Sequence, residues 1–374
     1  MSASTEKKNR IAAREAGTDK KAIAAKEAAD KKTKERKQLM WACIGIVIAI
    51  VVILLLNSKG LYTNTTALVA DGKNYSPAEM NIYYGQQYNT YANLYASYGL
   101  DTTYLANMKD ELKEGAVESL KQTIALQKYA AENGIELTEE ETAGLDEDLA
   151  TLAESVKEGG YSGLKQYFSV AYGKGNNEDT VREYSLANSL ASKVYNQVLE
   201  ETTAAVTDEE VTEQYPGVNV RHILVKAVAG EDGTYSDEAK AEAQAKAEEI
   251  LAEFEAGEKT EESFAALAEQ YSEDEGSNTN GGLYENVLEG QMVAEFNDFC
   301  FAEGRKAGDT GIVYGENGAY AGYHVMYFAG EGDPATNETG RSQIANSKMS
   351  EWLQGLADGI EVKEKFFYRL VGKV

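Results

Sequence analysis

Residues 219–227 read Asn-Val-Arg-His-Ile-Leu-Val-Lys-Ala, and this stretch decides the fold of the middle of the chain. Apolar and polar residues alternate along it and β-branched residues are frequent, which predicts a β-strand. The chain has three prolines, and two of them, Pro216 and Pro334, bracket the region in which such β-patterns occur. We therefore interpret these two prolines as domain boundaries.

Between these prolines the patterns alternate between strands and helices. After the strand at 219–227, we predict helices at 236–256 and 263–271, a Gly/Ser/Asn-rich loop at 272–282, a helix at 293–301, and strands at 311–314 and 322–328. Short strands that are separated by helices in this way are typical of a small sheet covered by helices.

The segments outside the two prolines are mostly helical. Capping-box patterns begin helices at Ser76, Thr138 and Thr207. A short strand is predicted at 67–69, a helix at 337–357 and a strand at 360–370. The whole chain is therefore predicted to be an α+β protein with a predominance of helix.

An uncharged apolar run of 18 residues, Leu39–Leu56, precedes these regions. It is just long enough to cross a bilayer as a helix. Basic residues cluster directly before it and Lys59 alone follows closely, so the positive-inside rule places the N-terminus in the cytoplasm. A cleaved signal peptide is the alternative, but no small-residue cleavage pattern follows the run. A lipoprotein is disfavoured because Cys43 lies near the start of the run, not at its end.

The charge of the chain changes sharply at the apolar run. Residues 1–38 hold twelve of the 36 basic and six of the 62 acidic residues, so 24 basic and 56 acidic residues remain in 39–374. An acidic body of this kind argues against binding of nucleic acid, which requires a basic surface. Cys43 and Cys300 cannot pair across the span, and Cys300 is predicted to be a small buried apolar residue.

Common catalytic and metal-binding signatures are missing from the sequence. There is no phosphate-binding glycine loop, and two histidines with two separated cysteines make a zinc site improbable. Both histidines, His222 and His324, lie between the boundary prolines on predicted strands. A lone histidine on a strand is usually a hydrogen-bonded structural residue, and only the surrounding motifs change that interpretation.

Five motifs follow one another in a fixed order in this region. They are Arg221-His222-Ile223-Leu224-Val225, Phe264-x-x-Leu267-Ala268-x-x-Tyr271-Ser272, Asp274-x-Gly276-Ser277 with Gly281-Gly282-Leu283, Gly290-Gln291-Met292-Val293-x-x-Phe296 with Phe301, and Gly322-Tyr323-His324-Val325. In this order and spacing, residues 219–331 resemble a parvulin-type peptidyl-prolyl isomerase domain.

The resemblance implies roles for seven residues. His222 and His324 match the paired histidines that hold a hydrogen-bond network beneath the active site, and Asp274 matches a position that perturbs the rotating carbonyl or orders the histidines. Met292 and Phe296 match the proline pocket, where a spacing of four predicts that they share one helix face. Phe301 matches a third wall, and Gln291 a hydrogen-bonding group for the substrate backbone. The reaction needs no cofactor, and none is expected.

The arrangement around this domain is similar to that of PrsA-like foldases of Gram-positive bacteria and, more distantly, SurA-type chaperones. It implies a cytoplasmic tail at 1–38, a transmembrane helix at 39–56, a linker at 57–66, a helical chaperone domain at 67–215, a parvulin domain at 216–333, and a C-terminal helix and strand at 334–374 that complete the chaperone domain. A foldase at the outer face of the cell membrane would act on unfolded exported polypeptides with X-Pro bonds. Since helical domains of this kind can dimerise, a homodimer is an open expectation.

The sequence departs from the family pattern near the second histidine. Ala319 and Ala321 stand where a Thr or Ser hydroxyl often joins the network. This departure keeps a second hypothesis open, in which the parvulin fold only docks unfolded clients and the chain is a holdase without catalysis.

Overall fold

A computed structural model describes residues 3–17, 20–56, 58–231, 233–317 and 320–372. Its helices are α1 (Ala3–Glu15), α2 (Lys20–Leu56), α3 (Lys59–Thr63), α4 (Pro77–Ser97), α5 (Lys109–Asn133), α6 (Glu139–Glu158), α7 (Leu164–Ala171), α8 (Glu178–Ala205), α9 (Asp208–Gln214), α10 (Asp237–Ala256), α11 (Glu261–Tyr271), α12 (Ala294–Cys300) and α13 (Glu338–Asp358). Its strands are β1 (Leu68–Ala70), β2 (Lys73–Tyr75), β3 (Val218–Lys226), β4 (Leu283–Val287), β5 (Thr310–Asn317), β6 (Tyr320–Glu331) and β7 (Val362–Glu364). Short 3₁₀ turns occupy Thr102–Met108, Asn278–Asn280 and Phe366–Leu370. The predicted α+β class with a predominance of helix is confirmed.

The chain divides into two compact units. The first holds Met1–Lys121, Leu137–Asn188 and Ile360–Val374, and the second holds Gln122–Glu136 and Ser189–Gly359. The second unit therefore contains the β-rich region together with the end of α5, most of α8, α9 and α13. The domain boundaries inferred from the prolines stay predictions.

Helix starts follow the sequence signals closely. The side chain of Ser76 accepts a hydrogen bond from the Glu79 amide, and the Glu79 carboxylate accepts one from the Ser76 amide. The same reciprocal pair caps α6 at Thr138 and α9 at Thr207. Each pair satisfies amide groups that the first turn of a helix leaves without partners, so the three predicted capping boxes are confirmed.

The apolar run lies within the long helix α2. Among the described residues, one helical stretch, Lys26–Leu54, is long and apolar enough to cross a membrane. The helix also begins well before the run, at Lys20, so most of the described residues in the basic segment are helical. The predicted linker after the run contains α3, whose Tyr62 is buried against Ala78 and Leu370.

The first unit contains a three-stranded antiparallel sheet in the order β2-β1-β7. Leu68 pairs with Tyr75 on one side and with Glu364 on the other, so the C-terminal strand completes the sheet of the N-terminal hairpin. The strand predicted at 360–370 is shorter in the structure, because the chain turns into a 3₁₀ helix at Phe366. This turn buries Leu370.

The second unit contains a four-stranded antiparallel sheet in the order β4-β3-β6-β5. Because side chains alternate along a strand, β3 and β6 present two apolar faces. One face, which includes Ile223 and Val325, packs against α10 and α11. The other, which includes Val220 and Met326, packs against α12. Both histidines lie on strands at the centre of this sheet, on the α12 face.

Replacement of Leu370 by Ala is expected to destabilise the first unit by roughly 2–4 kcal/mol, because it leaves a cavity against Tyr62 and Ala78. Amide hydrogen exchange in β1 and at the start of α4 should become faster. Phe366→Ala is the matched control, since that ring is 66 % exposed. Equal exchange rates in the two variants would contradict this account of the C-terminal turn.

Candidate active site

The pairing of β3 with β6 brings the two histidines together. Leu224 lies opposite His324 and His222 lies opposite Met326, so the two imidazoles are diagonal neighbours on one face of the sheet. The Nδ1 atoms of His222 and His324 are 2.9 Å apart, which is a hydrogen-bond distance. The two side chains are only 3 % and 4 % exposed. The sequence pattern thus places a polar pair inside an otherwise apolar layer.

The loop after α11 delivers Asp274 to this pair. Its start is fixed to β3, because the amide of Leu224 donates to the Ser272 hydroxyl and the amide of Glu273 donates to the Leu224 carbonyl. The Oδ2 atom of Asp274 lies 2.9 Å from Nε2 of His222. The Asp274 carboxylate therefore lies at one end of a series of hydrogen bonds that includes both histidines.

Gly282 closes the same loop against His222. It has a φ of +70°, and its carbonyl accepts a hydrogen bond from the His222 amide. A Cβ atom at this position would lie 2.2 Å from the His222 carbonyl oxygen. Only glycine permits both the left-handed backbone and this close approach. The Gly281-Gly282 pair in the sequence is thus required to hold Asp274 beside His222.

Three hydroxyl groups extend the network. Those of Ser277 and Tyr284 donate to Oδ2 of Asp274 at 2.5 and 3.0 Å. The Tyr320 hydroxyl lies 2.9 Å from Nε2 of His324. Both ends of the histidine pair are therefore joined to polar side chains, as buried polar groups require.

The proton positions follow from these contacts. An ionised Asp274 can only accept, so Nε2 of His222 donates to it. A neutral imidazole has one donor and one acceptor, so Nδ1 of His222 accepts from Nδ1–H of His324. Nε2 of His324 then accepts the proton of the Tyr320 hydroxyl. In this arrangement every donor faces an acceptor without a charge on either ring.

The surroundings favour these charge states. The hydrogen bond from His222, followed by those from Ser277 and Tyr284, holds the pKa of Asp274 well below its usual range. Burial, followed by the neighbouring His222, lowers the pKa of His324 to about 3. Burial raises the pKa of Tyr320, and the Asp274 charge adds to this effect. Asp274 is therefore ionised and His324 is neutral at neutral pH.

A cavity of about 290 Å³ opens beside the network. Its lining residues are Leu224, Met292, Val293 and Phe296 on the apolar side, and His222, Asp274, Tyr284, Gln291, Asn317, Tyr320 and His324 on the polar side. The Phe296 ring packs edge-on against both histidine rings, at centroid distances of 5.4 and 5.5 Å. An apolar wall thus faces a hydrogen-bonded wall across a space that a small ring can fill.

The structure brings six of the seven predicted residues to this cavity, but Met292 and Phe296 do not share one helix. Because α12 begins at Ala294, Met292 lies in the turn before it, and the argument from a spacing of four is wrong. Gln291 uses its Oε1 atom to accept the Leu288 amide. Phe301 packs against the same apolar cluster as Phe296 but does not line this cavity, and it lines a second cavity together with Cys300 and Pro216.

Sequence reasoning missed Ser277, Tyr284 and Tyr320 as members of the network. Ser277 is part of a quoted motif but received no role, and Tyr284 lies on β4, which was not predicted. Tyr320 stands four residues before His324 on the same strand, a spacing that puts both on one face. Its hydroxyl contacts the imidazole where Thr or Ser was expected, while Ala321 is buried and Ala319 lies outside the described residues.

Comparison with known proteins gives the same assignment for this region. The family described as the PPIC-type PPIASE domain matches residues 206–326. The chain carries a PPIC-type PPIase domain.

Cys300 behaves as predicted for a buried apolar residue, because it is 1 % exposed and burial raises the pKa of its thiol to about 12.

Curated relatives extend the likeness beyond this domain. The chain is 33 % identical to foldase protein PrsA 3 of Bacillus cereus over 156 residues, which are 40 % of this chain and 46 % of the relative. It is 26 % identical to foldase protein PrsA 1 of Listeria innocua over 211 residues, 55 % of this chain and 64 % of the relative. It is 31 % identical to chaperone SurA of Chromohalobacter salexigens over 155 residues, 39 % of this chain and 32 % of the relative. The chain thus spans about a third to two thirds of the length of these relatives.

The chain has two histidines, and both are in the network, so selective ¹⁵N-histidine labelling observes this site alone. Long-range ¹H–¹⁵N spectra should show the Nε2–H tautomer for His222 and the Nδ1–H tautomer for His324. In Asp274→Asn, an amide donor can replace the accepting oxygen, so both tautomers are expected to change. Wild-type tautomers that survive this substitution would contradict the hydrogen-bond chain.

Acidification is expected to destabilise the region around His324. The unfolded state binds a proton near pH 6.5 and the folded state only near pH 3, so the unfolded state gains protons first as the pH falls. This difference amounts to about 2 kcal/mol between pH 7 and pH 5.

The urea concentration at which the folded-state signal of His222 disappears measures this loss. His324→Gln keeps a neutral hydrogen-bonding side chain but cannot titrate. Its urea midpoint should change less between pH 7 and pH 5 than that of the wild type. An equal change in both proteins would assign the acid sensitivity to other groups.

Proposed function

We propose that the chain is a peptidyl-prolyl cis–trans isomerase that assists the folding of exported proteins. The observation that carries this proposal is the cavity in which Met292 and Phe296 face the network of His222, Asp274 and His324. An apolar seat beside fixed polar groups suits a proline ring and the amide bond that precedes it. The PPIC-type domain match supports the same reaction.

The chemistry of isomerisation fits such a site. Rotation about a peptide bond has a barrier of about 18–20 kcal/mol, because it breaks the resonance of the amide. No bond is cut, so catalysis needs only a site that binds the twisted amide better than the planar one. The twisted amide has less charge separation than the planar one, so an apolar wall at Met292 and Phe296 favours the twisted form by removing water.

We assign Asp274 the role of ordering the histidines. Its Oδ2 atom accepts hydrogen bonds from His222, Ser277 and Tyr284. This oxygen of the carboxylate is therefore fully engaged by the network. Such donors disperse its negative charge and fix its position. In this assignment, Asp274 holds His222 in the Nε2–H tautomer, and the two histidine rings in turn support the ring of Phe296.

Two regions of the chain support a setting at the membrane and a role in client binding. The apolar segment of α2 would anchor the chain, with the basic N-terminus in the cytoplasm and the remainder outside. Four large apolar side chains near the end of α4 are 47–74 % exposed: Leu94, Tyr98, Leu100 and Tyr104. An exposed apolar patch of this kind suits unfolded polypeptides, which we propose as the clients. The formation of a homodimer stays a prediction.

Met292→Ala tests the catalytic proposal. Removal of most of the side chain should lower kcat/KM for a short X-Pro peptide by about tenfold, since the lost apolar contact contributes roughly 1–2 kcal/mol. The measurement is NMR exchange between the cis and trans peptide signals, with the full chain in detergent micelles. Val228→Ala is the control, because Val228 is 76 % exposed and does not line the cavity.

The same assay separates isomerase from holdase. A folded wild-type chain that leaves the exchange rate at its uncatalysed value would sink the catalytic proposal and leave client binding alone. Fold integrity is checked by the two histidine signals, so an inactive protein is distinguished from an unfolded one.

Tyr98→Ser together with Tyr104→Ser tests the client-binding proposal. Loss of these two exposed rings should weaken the suppression of aggregation of an unfolded test protein, while the exchange rate of the X-Pro peptide stays unchanged. Light scattering during dilution of the denatured test protein measures the first effect. Undiminished suppression by the double variant would contradict a role for this patch.

A further inference from the structure

A further cavity lies in the first compact unit, close in sequence to the end of α2. It has a volume of about 330 Å³, and we call it the lysine cavity. Its lining residues are Lys59, Ser162, Lys165, Gln166, Ser169 and Val170. Among these described residues none is acidic, although acidic residues outnumber basic ones by more than two to one in 39–374.

Both walls of the lysine cavity are fixed by buried side chains. On α3, Tyr62 is 4 % exposed and holds the helix that carries Lys59. On α7, Leu164 and Phe168 are buried in the apolar core of the unit. The opposite face of α7 carries Lys165, Gln166 and Ser169, and Ser162, in the loop before the helix, lines the same cavity. The lysines therefore extend from anchored elements.

The groups in the lysine cavity are mainly donors. The two lysine ammonium groups only donate, and the Ser162 and Ser169 hydroxyls can donate. The Oε1 atom of Gln166 is engaged by the Ser162 amide at 2.7 Å, which leaves the amide nitrogen of Gln166 as its donor. A cavity of this composition suits a compact anion with several acceptor oxygens, such as a phosphate group.

The place of Lys59 in the chain identifies the source of that phosphate. Two residues lie between Leu56, the last residue of α2, and Lys59, so three Cα–Cα steps, or at most about 10 Å of chain, join them. If α2 spans the membrane, Lys59 lies at the level of the lipid headgroups. Lysines at this level attract anionic lipids by about 1 kcal/mol each, a roughly fivefold effect on local affinity. Val170, 61 % exposed, adds an apolar contact at the same cavity.

We propose that the lysine cavity binds the phosphate of an anionic phospholipid headgroup in the leaflet where α2 ends. The site would hold the first compact unit at the membrane surface, which its acidic surroundings would otherwise repel. This inference rests on the proposed anchoring by α2, but not on the isomerase activity.

The test uses the full chain in lipid nanodiscs that contain either phosphatidylglycerol or phosphatidylcholine. Amide hydrogen exchange of residues 59–63 and 162–170 is expected to be at least about fivefold slower with phosphatidylglycerol. Lys59→Gln and Lys165→Gln should each reduce this protection, and the double variant should abolish it. Lys157→Gln is the matched control, because Lys157 is exposed at the end of α6 but does not line the cavity.

Each remaining outcome decides against the proposal. Equal protection in the two lipids would show that no anionic headgroup is bound, and an equal loss in Lys157→Gln would show only general charge attraction. The same protection from inorganic phosphate in phosphatidylcholine nanodiscs would assign the cavity to a soluble anion. A chain that does not enter nanodiscs would refute the anchor and the headgroup site together. The X-Pro exchange rate, measured in the same samples, is expected to be unchanged in Lys165→Gln, which separates this site from the isomerase.

Discussion

The hydrogen bond between Nδ1 of His222 and Nδ1 of His324 is the constraint on which the candidate active site depends. Two buried imidazoles can share this bond only if one ring donates and the other accepts. That condition fixes the tautomer of each ring. At the two ends of the pair, Asp274 must therefore accept a hydrogen bond from His222, and Tyr320 must donate one to His324. The antiparallel register of β3 and β6, the left-handed Gly282 and the loop that carries Asp274 are all required to keep these atoms within reach of one another.

The network also explains why an apolar layer of the sheet contains polar side chains. A buried polar group without a partner costs about 1–3 kcal/mol, so an incomplete network would destabilise the domain. Ser277, Tyr284 and Tyr320 complete it by supplying hydroxyl groups at both ends. The rings thereby form a rigid, satisfied surface against which Phe296 packs, and the cavity beside them gains a fixed wall.

Sequence patterns predicted those parts of the structure that depend on local physics. Alternation predicted β3 and β6, and capping boxes predicted the starts of α4, α6 and α9. The hairpin of β1 and β2 was missed, although Asp71-Gly72 is a strong signal for a two-residue turn and both residues have positive φ. Tyr284 could not be placed, because β4 is short and its pairing with β3 is a tertiary contact. Phe301 was assigned to the proline pocket by the family resemblance, whereas it is the C-cap of α12 and lines another cavity.

The position of a bound proline ring can be measured directly at Met292. With ¹³C-methyl-labelled methionine in the full chain, the account predicts nuclear Overhauser effects between the Met292 methyl group and the ring protons of an X-Pro peptide. No such effects are expected at Met349, which is fully buried elsewhere in the second unit. Effects at Met292 would establish the apolar seat of the isomerase. A peptide that binds without contact to Met292 would contradict the assignment of this cavity as the active site.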